Sequence, residues 1–123
     1  MAEILVLDDV RDASILVSKI LAKQGHNTHP FTEEEDGISY VKENHVDLAI
    51  LDIKLKKMRG IEVLGILKEI NPTLRVIMLT GYPSVGTARD ALSQGADEYC
   101  VKPIDRDELE EKVAQVLAKE NGS

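Results

Sequence analysis

Asp47-Leu48-Ala49-Ile50-Leu51-Asp52-Ile53 is the stretch whose reading decides the fold. Residues 48–51 are apolar at every position, without the alternation of a half-wetted strand, and too few for a helix of their own. Such a run is predicted to be a strand covered on both faces, as in a parallel sheet. It stops on Asp52, where a lone charge beside an apolar segment would be costly. Working outward, Ile4-Leu5-Val6-Leu7 and Val76-Ile77-Met78-Leu79 repeat the pattern. Asn27 to Phe31 and Glu98 to Val101 complete a set of five strands, and the former, the most polar, is predicted at a sheet edge.

Between these runs the apolar period lengthens to that of helices. Ala13, Leu16, Val17, Ile20 and Leu21 form one stripe, with Asp12 as the expected N-cap and Gly25 as the stop. Ile38 and Val41 mark a second helix. Val63, Leu64, Leu67 and Ile70 mark a third, ended by Asn71-Pro72; Val85, Ala88, Ala91 and Leu92 mark a fourth, ended at Gly95. Leu109, Val113, Val116 and Leu117 mark the last. Strands alternating with helices give (βα)₅, an α/β doubly wound parallel sheet with right-handed crossovers. No linker, repeat or low-complexity tract interrupts it, and residues 1–123 are expected to form one domain.

The net charge of −7 and pI of about 4.9 oppose binding to a phosphate backbone, which needs a surplus of lysine and arginine. Direct nucleic-acid binding is therefore not expected. The acidic run Glu33-Glu34-Glu35-Asp36 is predicted to be a helix N-terminus on the surface, where acids complement the helix dipole. The single cysteine, Cys100, excludes an internal disulfide and is expected to be a small buried apolar residue in a reducing compartment. No signal-like segment opens the chain and no apolar stretch reaches the roughly 20 residues of a membrane span. The expected location is cytoplasmic.

In a doubly wound sheet, ligands bind beyond the carboxyl ends of the strands. The residues there are Asp8 and Asp9 after the first strand, Asp52 after the third, Thr80 after the fourth, and Lys102 before Pro103 after the fifth. Singly, each has an ordinary reading: turn or cap acids, a turn hydroxyl, a solvated lysine. Together they make a device. Crowded carboxylates repel one another unless a cation intervenes, and an oxygen-only donor set suits Mg²⁺. An ammonium and a hydroxyl can hold phosphoryl oxygens, and a carboxylate can attack phosphorus.

Four segments in order, Val6-Leu7-Asp8-Asp9, Leu51-Asp52-Ile53, Leu79-Thr80-Gly81 and Tyr99-Cys100-Val101-Lys102-Pro103, resemble the receiver domain of two-component response regulators, including the chemotaxis-type regulators. The resemblance covers essentially the whole chain. It implies a flavodoxin-like sheet with strand order 2-1-3-4-5. It implies that Asp9 binds Mg²⁺ directly, Asp8 assists, Asp52 ligates the metal and is phosphorylated, and the Lys54 backbone carbonyl is a further ligand. Thr80 and Lys102 would contact the phosphoryl oxygens, Gly81 would leave room beside them, and Lys102–Pro103 would be cis. Tyr99 matches the aromatic switch position, following Thr80 inward and altering the surface of the fourth helix, fifth strand and fifth helix. The implied partners are a histidine kinase or phosphotransfer protein, or a small phosphodonor, and a downstream effector, with a phosphorylation-dependent homodimer as one form of output. The family is a phosphoacceptor with only weak activity on itself rather than an enzyme.

The chain departs from the family pattern at Lys56, where a proline is usual, within the basic cluster Lys54, Lys56, Lys57 and Arg59; Gly60 is retained at the end of that loop. Bulky Lys54 and Tyr82 stand where family side chains influence attack by water, so slow self-dephosphorylation is expected. A Mg²⁺-dependent aspartyl-phosphate hydrolase of the haloacid dehalogenase type is the competing reading. It would place a general-acid carboxylate where Lys54 stands. A nucleotide-binding module would need a Gly-rich phosphate loop after the first strand, where Asp8-Asp9 stand instead.

Overall fold

The computed structural model describes residues 2–53, 55, 59–81 and 85–119, of which 85–88 are described by their backbone alone. The elements run β1 Glu3–Leu7, α1 Arg11–Ala22, β2 Asn27–Phe31, α2 Glu34–Glu43, β3 Leu48–Asp52, α3 Gly60–Ile70, β4 Arg75–Thr80, α4 Val85–Ser93, β5 Glu98–Val101 and α5 Arg106–Ala118. The sheet is parallel throughout, in the order β2-β1-β3-β4-β5. That order reverses between β1 and β3, so their carboxyl ends frame the crevice where such sheets bind ligands.

Every residue of β3 is buried, as its unbroken apolar run predicts. Side chains alternate between two cores, because successive residues of a strand point to opposite faces. Leu5, Leu7, Ala49, Leu51, Val76 and Met78 meet Ile38, Val41, Val63, Leu64, Leu67 and Ala91 of α2, α3 and α4. On the other face Ile4, Val6, Leu48, Ile50, Ile77 and Leu79 meet Val17, Leu21, Leu109, Val113 and Val116 of α1 and α5. Each fully buried Leu or Ile contributes about 1.5–3 kcal/mol relative to exposure, so Ile4, Leu5, Leu7, Leu48, Ile50, Leu51, Ile77 and Leu79 anchor the site's floor. Polar β2 lies at one edge, as expected, and the short β5 at the other.

Three details correct the sequence reading. The N-cap of α1 is Val10, whose N–H donates to Asp8 Oδ1 at 2.9 Å, and Asp12 lies in the first turn instead. The acidic run does open α2, but Glu34 is buried rather than on the surface. Leu16 and Leu92 stand 51% and 46% exposed, at the wet margins of the stripes assigned to them. A stripe wider than its partner surface leaves its margin uncovered. The glycine stops hold: Gly25 and Gly95 take φ of 90° and 107°, where an L side chain would be strained.

Candidate functional site

β1 delivers Asp8, β3 ends on Asp52, β4 ends on Thr80, and Lys102 follows β5 by one residue. The registers Leu7 with Leu51, Asp52 with Leu79, and Thr80 with Val101 bring these ends level. The Lys102 N–H donates to the Thr80 carbonyl at 2.7 Å, continuing the ladder past β5, and the Lys102–Pro103 peptide is cis as expected.

Lys102 Nζ donates to Asp8 Oδ2 at 2.8 Å and to Asp52 Oδ2 at 3.1 Å. Asp8 is wholly buried, Asp52 and Thr80 nearly so, and Asp9 half-buried. Burial works against the charge on Lys102, but the bonds to Asp8 and Asp52 prevail and hold its pKa above the ordinary value. Carboxylate oxygens of Asp8, Asp9 and Asp52 lie within 4.8 Å of one another. One ammonium carries too little charge to balance three carboxylates, and oxygen donors at this spacing fit a hard divalent cation.

The Gly60 N–H donates to the Ile53 carbonyl at 2.7 Å, which brings the start of α3 against the end of β3. A Cβ at Gly60 would sit 2.2 Å from the backbone oxygen of Asp52 and 2.8 Å from Ile53 Cα, so only glycine fits. Gly81, next to Thr80, is exposed and faces open space. Lys54, Lys56, Lys57 and Tyr82 lie outside the described residues, and with them the expected carbonyl ligand and the expectation about dephosphorylation. Arg59 is exposed. Cys100 is buried, and burial pushes its thiol up to about 11.

Tyr99 is half-buried and packs against the core shared by α2, α3 and α4. Sequence reasoning missed its companion Lys112 on α5, which donates to the Tyr99 carbonyl at 2.6 Å and lies 5.4 Å from the ring centroid. The available signal was Glu108, one turn before it, at ion-pair spacing.

The family model described as the response regulator receiver domain matches residues 4–114. This chain belongs to that family. Receiver domains are signalling phosphoacceptors of two-component systems, and they bind Mg²⁺ at an acidic pocket of the kind found here. Sporulation initiation phosphotransferase F of Bacillus subtilis (strain 168) is 31% identical over 115 residues, covering 94% of this receiver domain and 93% of that protein. The transcriptional regulatory protein ZraR of Salmonella typhimurium (strain LT2) is 34% identical over 116 residues, 94% of this chain but 26% of ZraR. The chain thus spans about a quarter of the length of that regulator. A CheY-like response regulator receiver domain protein from Methanospirillum hungatei JF-1 superposes with a TM-score of 0.90 at 31% identity, covering 95% of this chain and 94% of that one. Among the described residues no helix is long and apolar enough to cross a membrane.

Proposed function

We propose that this receiver domain is a phosphorylation-controlled switch in which Asp52 is the phosphoacceptor. The observation that carries the reading is the Lys102 ammonium bridging Asp8 and Asp52 inside a cluster of three carboxylates at the strand ends. Asp8, Asp9 and Asp52 would hold Mg²⁺, with the Lys54 carbonyl as a further ligand. Once bound, the ion supplies positive charge to the acceptor carboxylate and the incoming phosphoryl oxygens.

The remaining steps belong to the chain's own groups. An Asp52 carboxylate oxygen attacks phosphorus of a phosphohistidine. An O–P bond forms, the N–P bond breaks, and the imidazole leaves with the electron pair and takes a proton. Transfer of this kind is governed by positioning and charge neutralisation rather than by covalent chemistry of the surroundings. Burial fixes the Asp52 carboxylate, Lys102 neutralises the phosphoryl oxygens as they arrive, and the Thr80 hydroxyl donates to one of them. Thr80 moves toward the phosphoryl group, the Tyr99 ring follows inward, and the surface of α4, β5 and α5 changes.

The donor is a histidine kinase or a phosphotransfer protein, as the relation to a sporulation phosphotransferase suggests, and a small acyl phosphate can substitute. The reader is an effector protein or domain, with a phosphorylation-dependent homodimer as one form of output. Incubation with acetyl phosphate and Mg²⁺, followed by intact mass, tests the acceptor. Wild type is expected to gain one phosphoryl group and Asp52→Asn none; modification persisting in Asp52→Asn refutes the assignment.

A further inference from the structure

β5 is an edge strand, and edge strands present main-chain groups that nothing in the sheet can pair. At Tyr99 both groups are met by side chains. Its N–H donates to Glu98 Oε1 at 3.0 Å and its carbonyl accepts from Lys112 Nζ at 2.6 Å. Lys112 is itself held, with Glu108 Oε1 at 3.2 Å and Glu98 Oε1 at 3.9 Å, and its side chain is only a quarter exposed. These contacts fix the ammonium 5.4 Å from the centroid of the Tyr99 ring.

We propose that Lys112 is a positioning residue for the switch: a latch from α5, closed over the edge of β5, that holds the Tyr99 ring in its half-buried position. The inference rests on the reading of Tyr99 as the switch residue. The bond to the carbonyl is indifferent to the rotamer of Tyr99, whereas the contact with the ring exists only while the ring stays near α5. Inward movement of the ring therefore forfeits the second contact and keeps the first. The latch biases the resting state without locking the strand.

The bonds around Lys112 keep it charged. Burial opposes its charge, but the bond to Glu108 and the neighbouring acids raise its pKa above the ordinary value. An ammonium over a partly exposed ring favours the contacting state by about two- to fivefold in population. A ligand that selects the other state binds more weakly by the same factor while that state is minor.

The test follows the Tyr99 ring by NMR in protein carrying labelled tyrosine, with Tyr99→Phe for assignment, during titration with beryllofluoride and Mg²⁺ as a phosphoryl analogue. Lys112→Met keeps the stem and removes the charge. Its free-state Tyr99 signals are expected to lie part-way toward the wild-type bound positions, and its beryllofluoride affinity to rise about two- to fivefold. Lys112→Arg should restore both, and Glu108→Gln, which frees the lysine without touching Tyr99, should move both the same way by less. Wild-type signals that move on binding, with Lys112→Met signals and affinity unchanged, overturn the latch and leave the switch intact. Wild-type signals that stay in place while beryllofluoride binds overturn the switch role of Tyr99, and the latch with it.

Discussion

Replacing Gly60 by alanine separates two forces that usually act together. Gly60 is the first residue of α3, where the helix preference for alanine over glycine reaches at most the interior value of about 1 kcal/mol. The local geometry opposes that gain. The new Cβ would lie 2.2 Å from the backbone oxygen of Asp52, where real Cβ contacts under 3.0 Å are essentially unknown, so the backbone must open by most of an ångström. Overpacking against atoms that cannot rotate away costs about 1–3 kcal/mol. Losing the 2.7 Å bond from Gly60 N–H to the Ile53 carbonyl costs about 1 kcal/mol more. The expected net is a loss of about 1–3 kcal/mol. Because the displaced atoms belong to Asp52 itself, acetyl phosphate labelling should slow by about ten- to a hundredfold, the usual consequence of misplacing a reacting group by an ångström. Gly65 is the control: it lies on the same helix with nothing within 4 Å of its Cβ position, so Gly65→Ala should stabilise by about 0.5–1 kcal/mol and leave labelling unchanged. Urea unfolding followed by circular dichroism gives the first quantity and intact mass against time the second. A Gly60→Ala protein as stable as wild type and labelled within about twofold of its rate would refute the reasoning, since overpacking of this severity cannot be silent.

Lys102→Met removes the ammonium from two carboxylates whose side chains are 1% and 9% exposed. Breaking a buried pair costs about 3–5 kcal/mol, and with the lysine partly solvated we expect about 1–3 kcal/mol in metal-free urea unfolding. Mg²⁺ should recover more stability in this variant than in wild type, and equal recovery in both would contradict the shared-charge account. Acid sensitivity should trace in part to His26, whose Nδ1 accepts the Ala2 N–H at 3.1 Å and whose pKa is lowered by burial. A histidine depressed in the folded state takes its proton more readily when unfolded, so stability is kept above the ordinary histidine value and lost as pH falls through it. Wild type should therefore weaken between about pH 7 and about pH 5.5 more than His26→Gln does, and matching slopes would dismiss His26 as the cause.

The fold and the acidic pocket were legible because both are written at strand ends. An unbroken apolar run such as 48–51 declares a two-sided strand, and the polar residue that ends it must lie at the sheet's rim, where the ligand rule applies. Asp52, Thr80 and Lys102 needed no long-range knowledge to be placed. What the sequence concealed depends on neighbours far along the chain. Leu16 and Leu92 have helical spacing, but spacing alone does not tell which members of a stripe the neighbouring elements cover. Glu34 satisfies every rule for an exposed first-turn acid and is buried by what packs over it. Lys112 looks like half of an i, i+4 pair, and only the edge position of β5 turns it toward Tyr99.

Asp8 shows how closely the site and the scaffold are joined. One of its oxygens accepts the Val10 N–H and so opens α1 in place of the expected cap at Asp12; the other accepts Lys102 Nζ from 94 residues away. A wholly buried carboxylate is tolerable only when both oxygens are met, and here a backbone donor and an ammonium meet them. Any movement of Lys102 toward a phosphoryl group on Asp52 therefore withdraws a bond from Asp8, whose other oxygen is already committed to α1. A cation shared with Asp9 can replace the lost charge, which makes the acidic cluster and the lysine parts of one balance. Phosphorylation at Asp52 would then be felt at the first turn of α1 as well as along β5, because the same buried carboxylate terminates both paths.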